Sequence, residues 1–179
     1  MPLRGGNRTS MRSAGLVLAL LVLFAPGLSA EEYLSRDDFL ASAFAGQAPQ
    51  LQTLWLNAER RKAAEDQVGW APAGMRMRYW QAGERTAWIL EHIGKEEPIT
   101  LGVTVEGDRI LNVAVLAFRE SRGWEIRYPF FTEQFQGVSL SDGGRLSRHV
   151  DGITGATLSV RAVERMARLA LWLDSQVGA

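Results

Sequence analysis

Ile99-Thr100-Leu101-Gly102-Val103-Thr104-Val105-Glu106-Gly107-Asp108-Arg109-Ile110-Leu111-Asn112-Val113-Ala114-Val115-Leu116-Ala117-Phe118 sets two runs rich in Val, Ile and Leu on either side of one Glu-Gly-Asp turn. Ile99 to Val105 and Ile110 to Phe118 read as the arms of a β-hairpin. The same pattern appears once more upstream. Met75-Arg76-Met77-Arg78-Tyr79-Trp80 alternates as a half-buried strand does, Gln81-Ala82-Gly83-Glu84 turns the chain, and Thr86 to Leu90 returns. Helical signals flank this sheet on both sides. Ser35-Arg36-Asp37-Asp38 has a capping-box character before Phe39, Leu40 and Phe44. Gly46 to Pro49 ends that helix, and Asn57 heads a second one, Ala58 to Val68, stopped by Gly69. Pro72 and Gly74 mark a loop. Downstream, Arg119 to Pro129 is irregular, Phe130, Phe131 and Phe135 recur at helical spacing, and the polar, Gly-rich stretch 139–148 is a surface loop. The last helix presents Val163, Met166, Ala167, Ala170, Leu171 and Leu173 on one side, with Arg161, Glu164, Arg165 and Arg168 opposite. The expected class is α+β: an antiparallel sheet of two or more hairpins packed against a C-terminal helix, with helices at the N-terminus.

Composition narrows the chemistry. The 179 residues contain no cysteine and two histidines, and 20 basic side chains balance 20 acidic ones. Disulfide scaffolding, thiolate metal sites and thiol redox chemistry are excluded. No metal site is expected, and a balanced charge argues against nucleic acid as a partner. Arg4, Arg8 and Arg12 precede an apolar run from Ala14 to Ala25, which breaks at Pro26-Gly27 and reaches Leu28-Ser29-Ala30 before Glu31-Glu32. This is the three-part layout of a secretory signal, with cleavage after Ser29 or Ala30. The run falls short of the roughly 20 residues a spanning helix needs, although an uncleaved inner-membrane anchor is the second reading. The expected organisation is a signal peptide over residues 1–30, a helical segment over 31–74 and a domain over 75–179. The expected location is periplasmic or otherwise extracytoplasmic.

Asp151-Gly152-Ile153-Thr154-Gly155-Ala156-Thr157-Leu158-Ser159 opens the last helix. A loop of small and hydroxylated residues running into a helix N-terminus is a ready anion site, because unpaired amides and the positive end of the dipole meet there. Gly152 and Gly155 let a backbone approach a ligand closely. Thr154, Thr157 and Ser159 supply hydroxyls, one of which would equally serve as a plain helix cap.

Asp151-Gly152-Ile153-Thr154-Gly155-Ala156-Thr157 resembles the flavinylation motif of the FMN-binding domain family, found in flavin-carrying subunits of the sodium-pumping NADH:quinone reductase and the Rnf complex. The resemblance implies an FMN joined by a phosphoester to Thr157, placed there by a flavin transferase that draws on FAD. Upstream, Glu120-Ser121-Arg122-Gly123-Trp124 is similar to a loop that lies beside the flavin in that family. Glu120 and Gly123 match, whereas Ser121 and Arg122 replace a Thr-Pro pair. Phe131-Thr132-Glu133-Gln134-Phe135-Gln136-Gly137 resembles a further segment of the family. The cofactor site implied therefore comprises Asp151, Gly152, Thr154, Gly155, Ala156, Thr157 and Ser159, together with Glu120, Ser121, Arg122, Gly123 and Trp124. Arg122 or Arg161 is placed to pair with phosphate, and Trp124 with Phe118 to form a flat wall.

The functional expectation is an exported electron carrier or redox subunit with covalent FMN, rather than a stand-alone enzyme. Its partners would be the transferase and membrane or periplasmic redox proteins. The alternative is an exported binding module without covalent flavin. His149 and His92 carry no assigned role, and Asp142-Gly143-Gly144-Arg145 reads as a turn.

Overall fold

The computed structural model describes Met1 and residues 31–177; the leader expected over residues 1–30 lies, apart from Met1, outside the described residues. Six strands form one antiparallel sheet: β1 (Glu31–Glu32), β2 (Gln50–Trp55), β3 (Arg76–Ala82), β4 (Arg85–Ile93), β5 (Pro98–Glu106) and β6 (Arg109–Phe118). Their order across the sheet is β1-β6-β5-β4-β3-β2. The β3–β4 and β5–β6 hairpins are those expected, with tighter turns than the sequence suggested. Gln81 and Ala82 pair with Thr86 and Arg85, which leaves only Gly83 and Glu84 to turn the chain. Gly107 has a φ of +54° and Asp108 one of +66°, the left-handed pair that matches strand twist in a two-residue hairpin.

Helix α1 (Arg36–Phe44) begins at Ser35, whose hydroxyl accepts from the Asp38 amide at 3.1 Å. Helix α2 (Ala58–Val68) begins at Asn57, whose side chain accepts from the Arg60 amide at 2.8 Å. It stops at Gly69, which has a φ of +77°. The aromatic segment after β6 is a 3-10 turn over Trp124–Arg127, a single helical turn α3 (Pro129–Thr132) and a second 3-10 turn over Glu133–Phe135. Helix α4 (Thr157–Ser175) closes the chain. The fold is α+β, as expected.

Strand alternation gives the sheet two buried faces. Trp88, Leu90, Leu101, Val103, Val105 and Val113 share a core with Val163, Met166, Ala170 and Leu173 of α4 and with Val68 of α2. The opposite face holds a smaller cluster in which Phe39 and Phe44 of α1 meet Ala87 and Leu116. Gly102 permits that second layer, because a Cβ there would fall 2.6 Å from the Phe39 ring.

Strand β2 has no counterpart in the sequence reading. Segment 31–74 contributes both edge strands of the sheet as well as α1 and α2. The loop 139–148 is more tightly held than a surface loop need be. Leu140 bridges to Leu146, and a Cβ on Gly144 would overlap the Gln67 carbonyl.

Candidate functional site

The start of α4 is shaped by Gly155, whose φ of +84° turns the chain into the helix. The Ala156 amide donates back to the Ile153 carbonyl at 3.0 Å. Ala156 is the N-cap residue, and no side chain caps the helix. Thr157 is the first helical residue and is exposed. Its hydroxyl therefore does not serve as the cap that Ser and Thr commonly provide. The first amides of a helix have no intrahelical partner, so this end keeps its donors and its partial positive charge for something else.

The loop after β6 lies against this helix start. Gly123 has a φ of +90°, and a Cβ built on it would stand 2.9 Å from Ser159 Oγ and 3.2 Å from Ala156 Cβ. Only a glycine brings the backbone so close in that conformation. Ser159 is correspondingly buried, at 4% exposure.

Between loop and helix is a cleft of about 370 Å³ lined by Lys95, Glu120, Ser121, Arg122, Gly155, Ala156, Thr157, Leu158 and Ser159. Small-molecule sites start at about 300 Å³. Clefts of about 600 and 570 Å³ lie elsewhere, one around Thr86, Asp108 and Asp174, the other around Arg145, Arg148 and Arg168. Neither reaches the N-terminus of a helix.

Glu120 holds a third element in place. One carboxylate oxygen accepts from the backbone amides of Lys95, Glu96 and Glu97 at 2.5, 2.7 and 3.0 Å. Burial alone would raise the Glu120 pKa, but those three amides and the Lys95 charge outweigh it and hold the carboxyl below its ordinary range. The β4–β5 connection is thereby fixed beside the cleft, and Lys95 becomes part of its wall.

Seven of the residues selected from the sequence line this one cleft: Glu120, Ser121, Arg122, Gly155, Ala156, Thr157 and Ser159. Gly123 forms the seam behind them. Asp151, Gly152 and Thr154 sit on the exposed loop leading in and are not among the lining residues. Gln134 Oε1 accepts from the Asp151 amide at 2.7 Å, tying this loop to the aromatic segment. The Asp151 carboxylate lies in solvent, 3.7 Å from His149 Nε2.

The Trp124 ring stands edge-on to Tyr128 at 5.6 Å and 5.3 Å from the Arg127 guanidinium. Phe118 is buried in the main core. Neither is among the residues that line the cleft, and Arg161 is likewise absent from it. Lys95 and Leu158 were missed. Leu158 lay inside the quoted stretch but was given no role, and nothing local to Lys95 signals its place.

Residues 94–172 match the family model of the FMN-binding domain. The matched stretch contains every residue of the cleft. No curated protein matches the chain. Over these residues the chain is similar to the FMN-binding domain family.

Proposed function

We propose that this protein carries FMN covalently, as a phosphoester on Thr157, and works outside the cytoplasm as an electron-transfer protein. The observation that supports this most is Thr157 itself: an exposed hydroxyl at the first position of an uncapped nineteen-residue helix, opening into a cleft. In the attachment step the Thr157 oxygen replaces AMP on the flavin-side phosphorus of FAD, and the hydroxyl proton is released. A flavin transferase is the required partner.

The cleft suits the group. The free amides of α4 face the position a phosphate ester on Thr157 would take, which is where anions are favoured. Arg122 and Lys95 add positive charge, and Leu158 offers an apolar surface. Glu120 is the one carboxylate in the lining, and one of its oxygens is turned to the amides of residues 95–97, with the Lys95 charge beside it. Bound there, FMN supplies electron-transfer chemistry, while the chain supplies tether, charge and access. Export rests on the basic, apolar and small-residue layout of residues 1–30. Outside the cytoplasm a tether keeps a cofactor that would otherwise diffuse away.

The test is visible absorption of acid-precipitated, redissolved protein that was co-produced with a flavin transferase in exported form. Flavin absorption in the pellet supports the reading. A colourless pellet with flavin in the supernatant means FMN is bound without a covalent link.

A further inference from the structure

Trp124, Tyr128 and Phe130 are 40%, 37% and 59% exposed. Their rings follow one another at 5.6 and 6.2 Å, forming one aromatic corner. The same short helical segment buries Ile126, Phe131 and Phe135 on its inner side. Its inner side is thus apolar, and its outer side carries three aromatic rings that stay exposed among the described residues. Scattered surface hydrophobics need no explanation, but contiguous aromatic ones mark a contact site.

The chemistry of the corner favours lipid. Trp and Tyr combine an apolar ring with a polar tip and gather at the headgroup level of bilayers. The Arg127 guanidinium lies 4.1 Å from the Tyr33 ring and 5.2 Å from that of Tyr128, a cation held among aromatic faces in the manner of interfacial side chains.

Chain length points the same way. The apolar run ends at Ala25, six residues before Glu31, and six residues span at most about 22 Å. Glu31 pairs with Phe118, and two residues later Tyr33 lies beneath Arg127, so the chain enters the domain beside the aromatic corner. In a chain that keeps its leader, length alone holds the end of the apolar run within about 22 Å of Glu31, on the side of Trp124 and Tyr128.

We propose that Trp124, Tyr128 and Phe130 dock this end of the domain onto a phospholipid bilayer. Trp124 is two residues from Arg122 of the cleft, so docking would hold the cleft beside the membrane surface, within reach of a membrane-embedded redox partner. The proposal concerns orientation and does not depend on whether flavin is attached.

The absence of cysteine makes single-site labelling clean. The full chain is labelled with bimane at Phe130→Cys or, on the far edge strand β2, at Trp55→Cys. Each protein is mixed with phosphatidylcholine vesicles that carry brominated or ordinary acyl chains. The expected result is quenching by brominated lipid several-fold stronger at 130 than at 55, falling to the level at 55 when Trp124→Ser and Tyr128→Ser are added. No quenching at 130 would point to a protein partner for the corner and overturn the proposal. Equal quenching at both sites, or quenching unaffected by the two serines, would also overturn it. Flavin content, measured separately, leaves the comparison unchanged.

Discussion

Thr157 follows the N-cap and has a hydroxyl free of any capping duty, which separates its chemistry from its structural role. Thr157→Ala should abolish covalent flavin and leave the melting temperature of unloaded protein within about 2 °C, since surface substitutions usually change stability by less than about 0.5 kcal/mol. Mass spectrometry and thermal melting of the same sample check both halves. Glu120 is the converse case, a residue that shapes the site by holding backbone. Glu120→Ala would leave the amides of residues 95–97 without their acceptor, at a cost of about 1–3 kcal/mol. Because the folded pKa of Glu120 is depressed, its contribution is present above the ordinary glutamate range and fades as pH falls through the lowered value. The difference in melting temperature between wild type and Glu120→Ala should therefore shrink in acid. At this scale the motif residues were legible because each is defined by its neighbours in sequence. Lys95 was not, since only the hydrogen bonds of Glu120, some 25 residues away, bring it to the cleft.

Elements meet here through glycines that admit close contact. Gly123→Ala would need a Cβ 2.9 Å from Ser159 Oγ on a residue with a φ of +90°. Strain of this kind costs roughly 1–3 kcal/mol, and it should part the loop from the start of α4. The expected outcome is lower flavin loading together with a lower melting temperature, unlike Thr157→Ala. Gly102→Ala presses on the Phe39 ring across the other face of the sheet, where overpacking costs about 1–3 kcal/mol. It should lower the melting temperature without affecting the loading of the folded fraction. Both hairpins and α4 were legible because their apolar periods are long and regular. Strand β2 was not: Gln50-Leu51-Gln52-Thr53-Leu54-Trp55 buries only Leu54, and its strand character comes from pairing with β3 at the sheet edge. The first residue of α4 was not legible within the stretch Asp151–Ser159, because a helix capped by Ala156 carries no side-chain signal.

Across the whole molecule, the two ends of the sheet differ in kind. At the end remote from Thr157, Trp88 Nε1 donates to Thr86 Oγ1 at 2.9 Å, and Thr86 Oγ1 donates to Asp174 Oδ1 at 2.5 Å. Burial raises the Asp174 pKa, more than the Thr86 hydrogen bond lowers it. The unfolded chain gives up that proton more readily, so stability falls as pH rises from the ordinary aspartate range through the raised value. Asp174→Asn should match or exceed wild-type stability at neutral pH and lose that advantage in acid, as read from melting curves across pH. This end is built to hold the sheet to α4. The other end gathers the cleft, the aromatic corner and the entry of the chain, and the central claim rests on it. Trypsin cuts after Arg148 and Arg161, releasing His149–Arg161 with Thr154, Thr157 and Ser159 together. Fragmentation of that peptide, from protein co-produced with a flavin transferase, should place a single FMN-phosphoryl increment on Thr157. An unmodified peptide, or an increment on Thr154 or Ser159, would contradict the account.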